Sequence, residues 1–157
     1  MYKPIAVANP QNFIKTINTI HTAMLVMLIL ISVIFYTTNK NNMAFNWEHN
    51  PLFYFIPSFI IACGFAGSYL FNKIIKKAIY EDSLSGKLAI YRTAFIRKGS
   101  LIEGSTLLSI VYFSISGNLL LLLFAGLNII YFATQKPTKS KIEDSLNLGY
   151  EDKIMLG

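Results

Sequence analysis

The sequence is poor in charge and in the residue types that build catalytic or metal centres. Only 14% of its 157 residues are charged, whereas a typical soluble domain has about 25%. It has one cysteine, Cys63, and two histidines, His21 and His49. A single cysteine excludes an internal disulfide. One cysteine and two histidines are too few ligands for a structural zinc site. No G-x-S-x-G, phosphate-loop or H-E-x-x-H motif occurs. We therefore expect a chain that is not an enzyme and binds no cofactor.

Long apolar runs take the place of those missing features, and 54% of the residues are hydrophobic. About 20 helical residues cross a hydrocarbon core of about 30 Å. Runs near this length predict an all-α, four-transmembrane-helix bundle that forms a single integral membrane domain over residues 1–157. The predicted spans are 17–37, 52–71, 101–117 and 119–134. Gly117-Asn118 is a turn signal between the last two.

The segment between the second and third predicted spans, residues 73–100, is the most charged part of the chain. Its apolar residues keep helical spacing on both sides of residues 82–86, where we expect a break in the helix. This pattern predicts an amphipathic connector in which the second and third helices extend into the cytoplasm. Beyond Pro137, residues 138–148 predict a short C-terminal surface helix that lies against the bundle or the lipid.

The positions of the basic residues predict the orientation of the chain. All but one of the 14 Lys and Arg residues lie in the N-terminal lead, the connector or the tail, and Lys40 is the exception. An excess of Lys and Arg marks the cytoplasmic side, so we expect both the N- and C-termini there. The same placement explains the formal charge of +6 without nucleic acid. We expect anionic lipid at the basic connector. The heavy use of Asn, Lys and Ile is typical of an AT-rich bacterial genome, which favours a bacterial inner membrane.

Each predicted span contributes one polar side chain to the middle or inner part of the membrane: Glu103, His21, Asn128 and Ser68. An acidic residue at the centre of a bilayer costs about 2.5–3.5 kcal/mol, so such groups usually find a partner. We therefore hypothesise that Glu103 meets His21, with Asn128 or Tyr131 supplying hydrogen bonds. Such a group would form a proton- or cation-responsive site.

Structural interpretations of the same residues remain open. Glu103 follows Arg97 and Lys98 closely, so it could lie near the headgroups and pair with one of them or with a loop lysine. It could also be a paired structural residue inside the bundle. His21 could be an interface residue near Lys15. Asn and Ser in membrane helices most often make interhelical hydrogen bonds, which is the alternative for Asn128 and Ser68.

Small residues in the spans predict close packing between helices. Gly64 and Ser68 are four residues apart in the run ACGFAGS, a spacing that lets two helix backbones approach. Gly104 is a third small residue of this kind. This pattern predicts a homo-oligomer or a larger membrane complex.

Two stretches carry resemblances to known proteins. The first resemblance is to small four-span bacterial membrane proteins of no established activity, and it implies no mechanism. It is carried by Lys87–Lys139, KLAIYRTAFIRKGSLIEGSTLLSIVYFSISGNLLLLLFAGLNIIYFATQKPTK. LIEGSTLLSI resembles the carboxylate context of rotary ATPase proteolipid subunits, which implies an ion site at Glu103. Proteolipids carry that carboxylate on an even-numbered span and pack on glycine-rich first and third spans. Here Glu103 is on the third predicted span, and the first has no glycine.

Two functions are therefore expected from the sequence. The first is a non-enzymatic accessory or assembly protein of the inner membrane. The alternative is a small ion-coupled transporter or proteolipid-like subunit that translocates ions through Glu103.

Overall fold

The structure, a computed structural model, describes residues 10–45 and 51–156. Residues 1–9 of the N-terminal lead, which include Lys3, lie outside these ranges, as does His49 in the first loop. Within them the chain is helical and forms no β-strand. The α-helices are α1 Phe13–Thr38, α2 Pro51–Ile75, α3 Leu84–Ser116, α4 Leu119–Thr134, α5 Lys139–Leu146 and α6 Tyr150–Leu156.

Helix α3 is the centre of the bundle and packs against α1, α2 and α4. It has 33 residues and is therefore about 50 Å long. Two glycines let α3 lie close to α2 and to α1. A Cβ atom at Gly67 of α2 would lie 3.3 Å from Lys98 Cγ, and one at Gly99 of α3 would lie 3.0 Å from Met24 Cε. A single continuous helix thus organises the other three.

The turn between α3 and α4 is held by the loop that follows α1. Gly117 ends α3 in the left-handed conformation with φ of 68°, which glycine adopts without strain. The side chain of Asn118 caps α4 by accepting a hydrogen bond from Leu120 N at 3.1 Å. Ala44 N donates to Gly117 O at 3.1 Å, and Leu119 N donates to Ala44 O at 3.0 Å. The predicted turn at Gly117-Asn118 is confirmed, and both loops lie at the same end of the bundle.

The opposite end of the bundle is closed by an apolar cluster, which we call the tail cluster. It joins the start of α1, the first half of α3 and both C-terminal helices. Its buried members are Phe13, Ile17, Ala78, Leu84, Leu88, Tyr91, Phe95, Ile142, Leu146, Leu148 and Leu156. An ion pair of 2.8 Å between Lys87 Nζ and Asp152 Oδ2 joins α3 to α6. The predicted surface helix corresponds to α5, and its apolar face packs on the bundle.

The break within the connector is formed by contacts among residues that are close together in the sequence. A 3-10 helix ends at Tyr80, and α3 begins at Leu84 with Ser83 as its N-cap, whose Oγ accepts from Gly86 N at 3.1 Å. A Cβ atom at Gly86 would collide with the carboxyl group of Glu81. Glycine at this position therefore lets the capping turn close.

Helices α1, α2 with its 3-10 extension, and α3 are long and apolar enough to cross a membrane. Helix α4 has 16 residues, or about 24 Å, and it is bent by 77° relative to α5. The number of spans is therefore three or four. Large apolar side chains face outward, including Phe65 at 75% and Ile115 at 76% exposure. Soluble chains rarely expose so much apolar surface, so the fold is that of a helical membrane protein.

Candidate functional site

The structure does not gather the four predicted polar residues into one site. Asn128 and Ser68 border the same groove between α2 and α4, whereas His21 is buried between other helices and Glu103 is half-buried. Each environment is determined by the helix that packs beside the residue.

Asn128 joins α4 to α3. Its Nδ2 atom lies 2.8 Å from Thr106 Oγ1, 3.2 Å from Ser105 Oγ and 3.3 Å from Ile102 O. The two hydroxyls in turn donate to Ile102 O at 2.7 and 2.9 Å. The amide N–H groups thus have acceptors inside the protein, as buried polar groups in a membrane require. This environment favours the interhelical hydrogen-bonding interpretation of Asn128.

His21 is 2% exposed and joins α1 to α4. Its Nε2 lies 3.0 Å from Phe132 O, and since a carbonyl oxygen only accepts, Nε2 is the donor. The ring packs against Phe132 and Phe95, with centroid distances of 4.8 and 5.9 Å. His21 is therefore a buried packing residue that satisfies a backbone carbonyl near the end of α4.

The hypothesised contact between Glu103 and His21 is not made. No hydrogen bond or ion pair to Glu103 occurs in the described part of the chain. His21 is level with Phe95, which precedes Glu103 by eight residues, or about 12 Å along α3. The alternative pairing with Arg97 or Lys98 is also not made, since neither ion pair of the described residues involves Glu103. Lys98 Nζ instead donates to Gln135 Oε1 at 2.8 Å. Glu103 is therefore a half-buried carboxyl group without a partner in the described residues.

Ser68 and Gly64 border a groove between α2 and α4 of about 380 Å³, together with Asn128 and Tyr131. A second hollow of about 340 Å³ shares Asn128 and Tyr131 and extends the groove to Pro57. We call this combined feature the α2–α4 groove. It is open along its length, so its small residues face away from the core.

The glycines that pack inside the chain differ from those that the sequence singled out. In the part of the chain that the structure describes, no atom of a neighbouring element lies within 4 Å of a Cβ position at Gly64 or at Gly104, whereas Gly67 and Gly99 are close to neighbouring helices. Within the chain, Gly64 and Gly104 therefore do not serve close packing, and contact with another chain remains a prediction. One signal could have identified Gly67: it lies four residues after the buried Cys63 and shares its face.

A polar cluster that sequence reasoning missed lies beside the tail cluster. Lys98 donates to Gln135, and Lys141 Nζ donates to the carbonyl oxygens of Thr134 and Lys136 at 3.1 Å each. These carbonyls lie at the end of α4, where helical partners are lacking. The cluster could not be read from the sequence because α5 reaches Lys98 only after folding back.

No group of three or more His, Cys, Asp or Glu residues that could hold a metal ion occurs in residues 10–45 and 51–156. Comparison of the chain with models of known protein families, with curated proteins and with solved structures finds no match. The function proposed for the chain therefore depends on its geometry.

Proposed function

We propose that the chain is a non-enzymatic accessory or assembly protein of the bacterial inner membrane. In this proposal it crosses the membrane four times and both termini lie in the cytoplasm. It binds another membrane helix, from a second copy or from a larger complex, in the α2–α4 groove.

The observation that carries the proposal is the open space at Gly64. Among the described residues, no atom outside the adjoining backbone of α2 lies within 4 Å of its Cβ position, and Ser68 follows one helical turn later on the same groove. Membrane helices associate where small residues let backbones approach and where hydroxyls form hydrogen bonds across the contact. Inside this chain Gly67 and Gly99 already meet that need. Gly64 and Ser68 are thus left for an external helix.

The side chains beside the groove support this proposal. Ile61 and Phe65 are exposed by 59% and 75%, and both border the groove with Gly64. Large apolar side chains beside a small-residue strip give a second helix a surface to pack against. A partner would bury these side chains without covering a charged group.

The experiment is to purify the untagged protein together with its partners in mild detergent, and to compare wild type with Gly64→Leu. We expect the variant to fold and to lose the complex, because leucine would fill the space that the partner helix needs. The matched control is Gly126→Leu, since no neighbouring element in the described ranges comes within 4 Å of its Cβ position either, but Gly126 lies in a groove between α1 and α4. Equal assembly of both variants would contradict the proposal.

The orientation is tested separately with reporter fusions after Asn42, Lys87 and Leu156. Alkaline phosphatase should be active only at Asn42, and a cytoplasmic fluorescent reporter should fluoresce at the other two positions. The tail cluster places the first half of α3 and α6 at the same end of the bundle. Opposite reporter signals at Lys87 and Leu156 would therefore contradict the four-span arrangement.

The second candidate function is ion translocation by a small ion-coupled transporter or proteolipid-like subunit. It is favoured by Glu103, whose carboxyl group has no partner in the described residues. An ionisable residue at membrane depth is by default a functional hypothesis. Purified protein in liposomes should then show a proton or cation flux that Glu103→Gln abolishes. Background flux in wild type and variant alike would exclude this candidate.

A further inference from the structure

Lys98 is a half-buried cation without an acidic partner. Its Nζ donates to the neutral side chain of Gln135 at 2.8 Å and lies 5.6 Å from the centroid of the Phe71 ring. Its aliphatic stem packs on Gly67. No carboxylate lies within 4.0 Å of this ammonium group in the part of the chain that the structure describes. Buried charges are normally paired, and the ammonium group of Lys98 has no such counter-charge within ion-pair distance in the described residues.

A second ammonium group, that of Lys141, borders the same cavity, whose volume is about 260 Å³. An ammonium group has three N–H donors. Lys141 uses two on the carbonyl oxygens at the end of α4, and Lys98 uses one on Gln135. The two lysines therefore have N–H donors left for the oxygens of an anion.

The remaining walls of the cavity suit an amphipathic ligand. Phe71, Tyr91 and Phe95 form an aromatic side. Asp144 also borders the cavity, and its Oδ2 accepts a hydrogen bond from Ser140 at 3.4 Å. The cavity thus combines two positive charges, one negative charge and an aromatic surface.

The cavity lies where the apolar helices meet the polar end of the bundle. Gln135 directly follows the end of α4 at Thr134, and Lys98 precedes the apolar run that begins at Leu101 by three residues. This level corresponds to the headgroup layer, where aromatic and basic side chains are typical.

We propose that Lys98 and Lys141 bind the phosphate of an anionic phospholipid, whose glycerol end rests on the aromatic side of the cavity. This proposal needs only a membrane-embedded bundle and does not rest on the assembly function. It differs from diffuse attraction of anionic lipid to the connector, because it assigns binding to two lysines rather than to all surface charges.

The test is a titration of the purified full chain in detergent with phosphatidylglycerol, phosphatidylcholine or inorganic phosphate, followed by native mass spectrometry. We expect saturable binding of phosphatidylglycerol over phosphatidylcholine. Lys98→Gln should weaken it about fivefold, and the double variant with Lys141→Gln about thirtyfold. Glutamine keeps a polar side chain that can donate hydrogen bonds, although it is one carbon shorter, and it removes the charge. Lys98→Arg should retain binding within about threefold because it keeps the charge.

The matched control is Lys73→Gln, since Lys73 is an exposed lysine at the same end, with its Nζ 6.0 Å from the Tyr69 ring centroid. It should change binding less than twofold, and Asp144→Asn should strengthen binding because it removes the repelling charge. Equal losses for Lys73→Gln and Lys98→Gln would overturn the proposal in favour of diffuse attraction. Binding of inorganic phosphate at the same lysines without any preference for lipid would overturn the lipid assignment. Circular dichroism of each variant checks that it is folded.

Discussion

The hydrogen bonds of Asn128 give the sharpest test of how the bundle is held together. We expect Asn128→Ala to lower the free energy of unfolding. Interhelical hydrogen bonds in membranes contribute about 0.6 kcal/mol each on average, and at most about 1.7 kcal/mol. The side-chain amide has three acceptors at 2.8 to 3.3 Å. It has only two N–H groups, so it can donate two of these hydrogen bonds at a time. The loss should be about 1–2 kcal/mol, including the space that the smaller side chain leaves.

The contribution of the shortest of these bonds can be isolated by a double-mutant cycle. Asn128 Nδ2 and Thr106 Oγ1 are 2.8 Å apart, and Thr106→Val removes the hydroxyl while keeping a branched side chain. Since the two residues are in contact, their effects should not add, and the coupling energy should be about 0.6 kcal/mol. The assay is equilibrium unfolding in mixed micelles with increasing SDS, followed by far-UV circular dichroism.

The control for this cycle is Ser114→Ala. Ser114 Oγ donates to Val111 O at 2.7 Å within the same helix and joins no second helix, so its removal should change stability by less than about 0.5 kcal/mol. A coupling energy below about 0.3 kcal/mol between Asn128 and Thr106, the range in which independent sites add, would refute the reasoning.

Three further predictions concern local features of the fold. Gly67→Leu should destabilise the bundle by about 1–3 kcal/mol in the same SDS titration, because its side chain would collide with Lys98. Gly117→Ala should cost about 1–2 kcal/mol there, since alanine is strained at φ of 68°. Asp152→Asn should cost less than about 1 kcal/mol in total stability but should speed proteolysis of α6, because the ion pair with Lys87 joins that helix to α3.

The predictions for Gly67 and Asp152 each have a counterpart in the same chain. Gly64→Leu should leave stability unchanged within about 0.5 kcal/mol, because its Cβ position is open. An equal loss at Gly64 and Gly67 would show that α2 packs in a different rotation. Asp144→Asn should not speed cleavage of α6, because Asp144 makes no ion pair shorter than 4.0 Å in the described residues.

The sequence could not predict which groups the polar residues contact. The sequence places Glu103 and His21 in the same middle or inner part of the membrane, which predicts that they meet. The packing of His21 beside Phe95 shows how far the two helices are shifted relative to each other. A shift of two helical turns leaves the sequence pattern unchanged but separates the two side chains.

The sequence by itself determined the helical class, the position of the turn at Gly117-Asn118 and the start of the C-terminal helix after Pro137. These features follow from hydrophobic length and from residues that act on their own backbone. Only the tertiary structure decided that Gly67 rather than Gly64 faces α3, and that Lys98 meets Gln135. In a bilayer the lipid-facing and the inward-facing side chains are equally apolar, so hydropathy does not show which way a helix is rotated. Rotation and lateral shift are decided by packing between helices, and they determine which polar groups meet.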